Sequence, residues 1–184
     1  MLHDRNQGGL RKHVRSALQE DHARVDAQFA ILDIQTRTGL ATFLQAHRVA
    51  FDALLMSGCP LDGRIKEAHL SDIIRAIDLD LKALRVPILR LSQPKYAYDV
   101  LAVDHIVLGS RLGTAVLRSK WLMSQDRQVR QARAYFAQPH YKDEWRGHCM
   151  HLSGMDAGDA AGQQMIEDAR RLFVLFESAL DVCR

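Results

Sequence analysis

An all-α fold organised as one domain is what this sequence predicts, and three features carry the prediction. Apolar residues recur every three to four positions through each long segment, the spacing that lines one face of a helix, and no stretch shows the strict alternation of a half-buried strand. Only four prolines and eleven glycines punctuate 184 residues, too few for the turns of a β-rich fold. A chain this long can bury a core without disulfides or a structural metal, so residues 1–184 are expected to fold as a single domain.

The elements follow in order. A first helix is expected over 10–32, entered after Gly8 and Gly9, with Val14, Leu18, Val25, Phe29 and Leu32 on one stripe. A polar turn, 33–39, ends it. Leu40, Phe43, Leu44, His47, Phe51, Leu54 and Leu55 form the stripe of a second helix that stops at Ser57, Gly58, Cys59 and Pro60, and the two are expected to pair as a hairpin. A third helix covers about 63–84, and Pro87 and Pro94 bracket an irregular connection. The fourth, about 96–125, is apolar on most sides and is expected to be the central, most buried helix. A short helix over 126–136, a break at Pro139, a helix over 142–152, a turn at 153–158 and a last amphipathic helix over 161–182 complete the chain.

Composition narrows the classes of function. Net charge is +3, but the Lys and Arg residues are scattered rather than gathered in one run, so nucleic acid is not indicated. Cys59, Cys149 and Cys183 are odd in number and contain no C-x-x-C pair, which reads as reduced thiols rather than a zinc site. The first residues lack an apolar signal core and no segment is expected to cross a membrane. The expected location is the cytoplasm.

The stretch 19–29, QEDHARVDAQF, concentrates the chemistry. His22 lies four residues after Leu18 and three before Val25, so the imidazole shares the apolar stripe and is expected to face the core. A core histidine satisfied by a neighbouring polar group is one reading. Arg15 lies two turns earlier, roughly 10 Å along the stripe, and Asp26 one turn later, where it could accept the imidazole N–H and raise the basicity of the other nitrogen. Cation, imidazole and carboxylate in a row suit heme, with propionates at one end, iron in the middle and an orienting acid behind. A second feature lies in the fourth helix, where Gly109 and Gly113 share a face and cost about 1 kcal/mol each relative to Ala. Two missing β-carbons there allow either close helix packing or the approach of a flat ligand.

Taken together, these stretches resemble the bacterial biliverdin-producing heme oxygenases. LRKHVRSALQEDHARVDAQF resembles that family's proximal helix, with His22 in the position of the iron ligand and Arg15 matching a basic propionate partner. GSRLGTAVL, 109–117, resembles the distal helix, and IEDARRLFVLFESAL resembles the closing helix, where Arg170 is the nearest match to a second propionate partner. Three positions depart from the usual pattern: Leu108 replaces a glutamate, His105 an aromatic, and Thr114 the second glycine of a pair.

The resemblance implies heme held between a proximal helix and a kinked distal helix, with His22 on the iron and Arg15, Asp26, Gly109, Gly113 and Arg170 around the cofactor. It implies cleavage of heme with oxygen and electrons to biliverdin, carbon monoxide and ferrous iron, with Gly109 and Gly113 shaping the oxygen site and Ser110 and water supplying protons. Electrons would come from a ferredoxin or a flavoprotein reductase docking near Arg15, Lys12 and Arg118, since no nucleotide fingerprint is present. The bilin would pass to an acceptor such as a bacteriophytochrome. The departures leave a non-catalytic heme carrier or sensor as the alternative, with His105 a possible second iron ligand; an unrelated use of the same helical fold is a third class.

Overall fold

The structure, a computed structural model, describes residues 9–89 and 96–184; Gly8 and Pro94 lie outside them. Among the described residues the chain is all-helical, with one isolated bridge between Asp62 and Lys66. The helices are α1 Leu10–Ala17, α2 Gln19–Ala30, α3 Arg37–Leu55, α4 Glu67–Ala83, α5 Val100–Leu122, α6 Arg127–Gln131, α7 Ala134–Ala137, α8 Lys142–Ser153 and α9 Ala160–Cys183.

The expected first helix is two. Leu18 leaves helical geometry (φ −103°, ψ 2°) while staying buried, and Arg170 on α9 donates to the Ala17 carbonyl at 3.1 Å just before the break. The two halves are held differently. Leu10 and Val14 are buried in the core, whereas no residue of α2 is fully buried. Polar ties dock α2 on α9 instead: Arg24 donates to Glu177 at 2.6 Å and Gln28 to the same oxygen at 3.2 Å.

The second helix begins at Arg37, three residues before its expected start, because Thr36 caps it by accepting the Gly39 N–H at 3.1 Å. It does not pair with α2 as a hairpin. Its main neighbours are α4 and α9, and it is the most buried helix, with 13 of 19 residues inside against 9 of 23 for α5. The expectation that α5 would be the most buried fails beyond Thr114, where Val116 is 67% exposed. Its apolar surface there borders empty space rather than side chains. By length and composition α5 could span a membrane, contrary to the sequence expectation; here its apolar residues serve contacts with α8 and α9 and the lining of a cavity.

Carboxylates lock the ends of these helices. Asp99 caps α5 by accepting from the N–H groups of Leu101 and Ala102, and Asp168 of α9 accepts the Asp99 N–H at 2.8 Å, fixing where α5 starts. Asp104 accepts the N–H groups of Arg64 and Ile65 at 2.9 and 2.8 Å, so residues 63–66 form a loop against α5 rather than the first turn of α4. Asp80 accepts from Ala134 and Tyr135 at 2.8 Å each, which splits the helix expected over 126–136 into α6 and α7. Arg111, fully buried, reaches the carbonyls of Tyr135, Gln138 and Pro139 and binds the segment after α7 to α5.

Candidate functional site

The space between α2, α3, α5 and α9 is a cavity of about 570 Å³, within the range of small-molecule and cofactor sites. Val25 and Phe29 of α2, Phe43 and His47 of α3, and Phe173 and Phe176 of α9 make most of it apolar. His22 and Asp26 stand on its α2 wall; His105, Gly109, Ser110, Gly113 and Thr114 stand on its α5 wall. The stripe read from the sequence is therefore correct in register and wrong in destination. His22 does not face the core: its side chain is 63% exposed, because the face it occupies on α2 borders the cavity.

His22 is held in one orientation. Its Nδ1 lies 3.0 Å from Asp26 Oδ2, and its ring meets the edge of Phe173 at 5.9 Å between centroids. With Nδ1–H donated to the carboxylate, Nε2 keeps its lone pair for a metal.

The glycines of α5 open onto the cavity. A β-carbon at Gly113 would meet nothing within 4 Å, and one at Gly109 would touch only Trp145, at 3.9 Å. Close helix packing, the other use for such glycines, belongs to Gly162, where a β-carbon would fall 2.7 Å from Leu10. Ser110 donates its hydroxyl hydrogen to the Val107 carbonyl at 2.8 Å, so towards the cavity it is an acceptor. Thr114 donates in the same way to the Ser110 carbonyl at 3.0 Å.

These features can be set beside known proteins. No protein-family model and no curated protein sequence matches the chain. Among solved structures it is similar to the NO- and CO-bound heme oxygenase of Neisseria meningitidis, with a TM-score of 0.71 over 95% of this chain and 92% of that one, at 18% identity. The chain has the heme oxygenase fold. At that identity the likeness establishes architecture and not chemistry.

Within this heme oxygenase fold the two cations expected from the sequence, Arg15 and Arg170, stand apart from the cavity lining. Arg15 is exposed on α1, and Arg170 is engaged with the Ala17 carbonyl and, at 3.4 Å, with Asp21. Lys120 on α5 is the basic residue on the lining. Sequence reading passed over it, although it lies seven residues after Gly113, two turns along the same face. It passed over Glu177 as well, which holds α2 in place from α9; the signal would have been an acid beside F-x-x-F, but its partners Arg24 and Gln28 lie about 150 positions away.

Three imidazoles in and behind the walls are kept neutral, chiefly by burial. It pushes His47 and His105 down to about 4 and His148 to about 3. His47 gives its Nδ1–H to the Phe43 carbonyl at 2.9 Å and sits among the rings of Phe29, Phe43 and Phe176. In the unfolded chain a histidine binds its proton near pH 6.5. Between about pH 6.5 and 4 the unfolded state thus holds more protons than the native one, and stability falls as pH falls. Asp80, raised to about 6 by burial, acts in the opposite sense below pH 6, and Asp104, raised for the same reason, also favours the native state as acid is added. Three groups outweigh two, so the urea midpoint of the ligand-free protein is expected to be lower at pH 5 than at pH 7. Equal midpoints would show that the buried imidazoles do not outweigh the buried carboxyl groups in this range.

Proposed function

We propose that this cavity binds heme through His22 and that the protein is an oxygenase that degrades it. The supporting observation is the meeting, on two walls of one apolar cavity, of an imidazole oriented by a carboxylate and a helix face stripped of β-carbons. Among the described residues no group of three or more His, Cys, Asp or Glu is placed to hold a bare metal ion, so iron would arrive within an organic ligand and need one imidazole. When bound, heme supplies an oxygen-reactive iron and is itself consumed, yielding biliverdin, carbon monoxide and ferrous iron.

The chain's own residues do the rest. Asp26 fixes the His22 tautomer, Phe29, Phe173 and Phe176 exclude water, and Gly109 and Gly113 keep the α5 wall open to the cavity. Lys120, on the cavity lining, would hold a propionate; Arg15 and Arg170, off the lining, would add positive charge nearby. The working setting on this reading is the cytoplasm. There a ferredoxin or flavoprotein reductase would supply electrons near exposed Lys12, Arg15 and Arg118, and an acceptor such as a bacteriophytochrome would take the bilin.

A non-catalytic heme carrier or sensor is the second reading, favoured by Leu108, which is fully buried, and by Ser110, whose proton is committed to its own helix. A single-turnover assay of heme-loaded protein with a reductase or ascorbate, read by product chromatography, separates the two. Bilin is the expected product. Heme recovered intact supports the carrier, and failure to take up heme removes both.

A further inference from the structure

On the α5 wall, one turn before Gly109, the ring of His105 lines the cavity. Behind it, His105 Nδ1 lies 3.2 Å from Nε2 of His148 on α8. One proton stands between these two nitrogens, and whichever ring owns it sets the tautomer of both. His148 is fully buried, and its Nδ1 has no partner among the described residues. If His105 owned the shared proton, neutral His148 would carry its own on that Nδ1, giving an orphaned buried N–H. If His148 owns it, the orphan is a bare acceptor. Unpaired donors are the rarer kind of buried orphan in proteins, so the proton belongs to His148 Nε2. His105 Nδ1 is then an acceptor, and the proton of His105 resides on Nε2, which makes no hydrogen bond among the described residues and is left for the cavity.

We propose that His105 is a hydrogen-bond donor to small acceptors held in this cavity, that His148 positions it by locking its tautomer, and that His105 is not a second iron ligand. A nitrogen already bearing a proton cannot also donate its lone pair to a metal. Burial keeps both rings neutral, so the tautomer rather than the charge decides what His105 offers. The inference rests on the heme reading above for the nature of the acceptor, but not for the tautomer.

The test accordingly has two arms on the full chain. Histidine-detected ¹⁵N NMR of the heme-free protein is expected to show both His105 and His148 protonated at Nε2 and bare at Nδ1. A proton on His105 Nδ1 overturns the proposal. In ferric heme-loaded protein, His105→Phe is expected to weaken fluoride and azide binding by about tenfold or more while heme stays bound. His148→Leu should weaken these anions too, and His148→Gln, whose amide can still donate to His105 Nδ1, should restore much of the affinity. A purely structural role for His148 would not predict that rescue. Unchanged anion affinity in His105→Phe, or a low-spin wild-type spectrum that His105→Phe converts to high spin, overturns the donor assignment. Should the wild type take up no heme, the heme reading fails while the NMR arm still decides the tautomer.

Discussion

Replacing His22 with alanine is expected to lower heme affinity by about a hundredfold or more and to abolish the histidine-ligated ferric spectrum, while leaving the melting temperature of the heme-free protein nearly unchanged. The separation of the two effects follows from the site. The His22 side chain is largely exposed on the cavity wall, so truncating it creates no core void, and α2 remains docked through Arg24, Gln28 and Glu177. Asp26→Asn keeps an acceptor oxygen but loses the charge that strengthens the imidazole, and should cost about 10- to 100-fold in heme affinity. Heme titration followed by absorption spectra measures both. If His22→Ala keeps the wild-type spectrum while His47→Ala or His105→Ala loses it, the ligand is elsewhere on the cavity wall.

Gly113→Leu is expected to act on the opposite wall and in the opposite manner. Because a β-carbon there meets nothing within 4 Å, the new side chain starts into open space on the cavity wall, and helix propensity favours it by up to about 1 kcal/mol. The heme-free variant should therefore be at least as stable as the wild type. Heme should still bind through His22, since the α2 wall is untouched, but bilin formation should slow by on the order of a hundredfold, as expected when reacting groups are displaced by about 1 Å. Gly162→Ala provides the contrast: its β-carbon would press on Leu10, and it should destabilise the fold. A lower melting temperature for Gly113→Leu would mean that α5 needs that glycine to pack. Normal turnover would mean that heme, if bound, does not lie against this face.

Much of the architecture was legible because helices announce themselves locally. The stripes of α3, α4 and α9 lie within a few residues of where the periodicity placed them, and the pairing of His22 with Asp26 is an i,i+4 relation that any helix through those residues brings about. The shared face of His105, Gly109 and Gly113 is readable for the same reason. The breaks were not legible, because remote groups make them: Arg170 stands beside the end of α1 and Asp80 beside the start of α7.

By itself, then, the sequence determined an all-α single domain, the order of its helices and which residues share a face. Tertiary structure alone decided what each face meets. Periodicity distinguishes an apolar stripe from a polar one, yet Leu18 and Phe29 belong to the same stripe, and one is sealed in the core while the other borders a cavity. The choice between packing and void depends on how far apart α2, α3, α5 and α9 are held, and groups distant in sequence hold them: Glu177 under α2, Asp168 at the start of α5, His148 behind His105. Such contacts leave no periodic trace in the chain, because the partners are brought together only by packing.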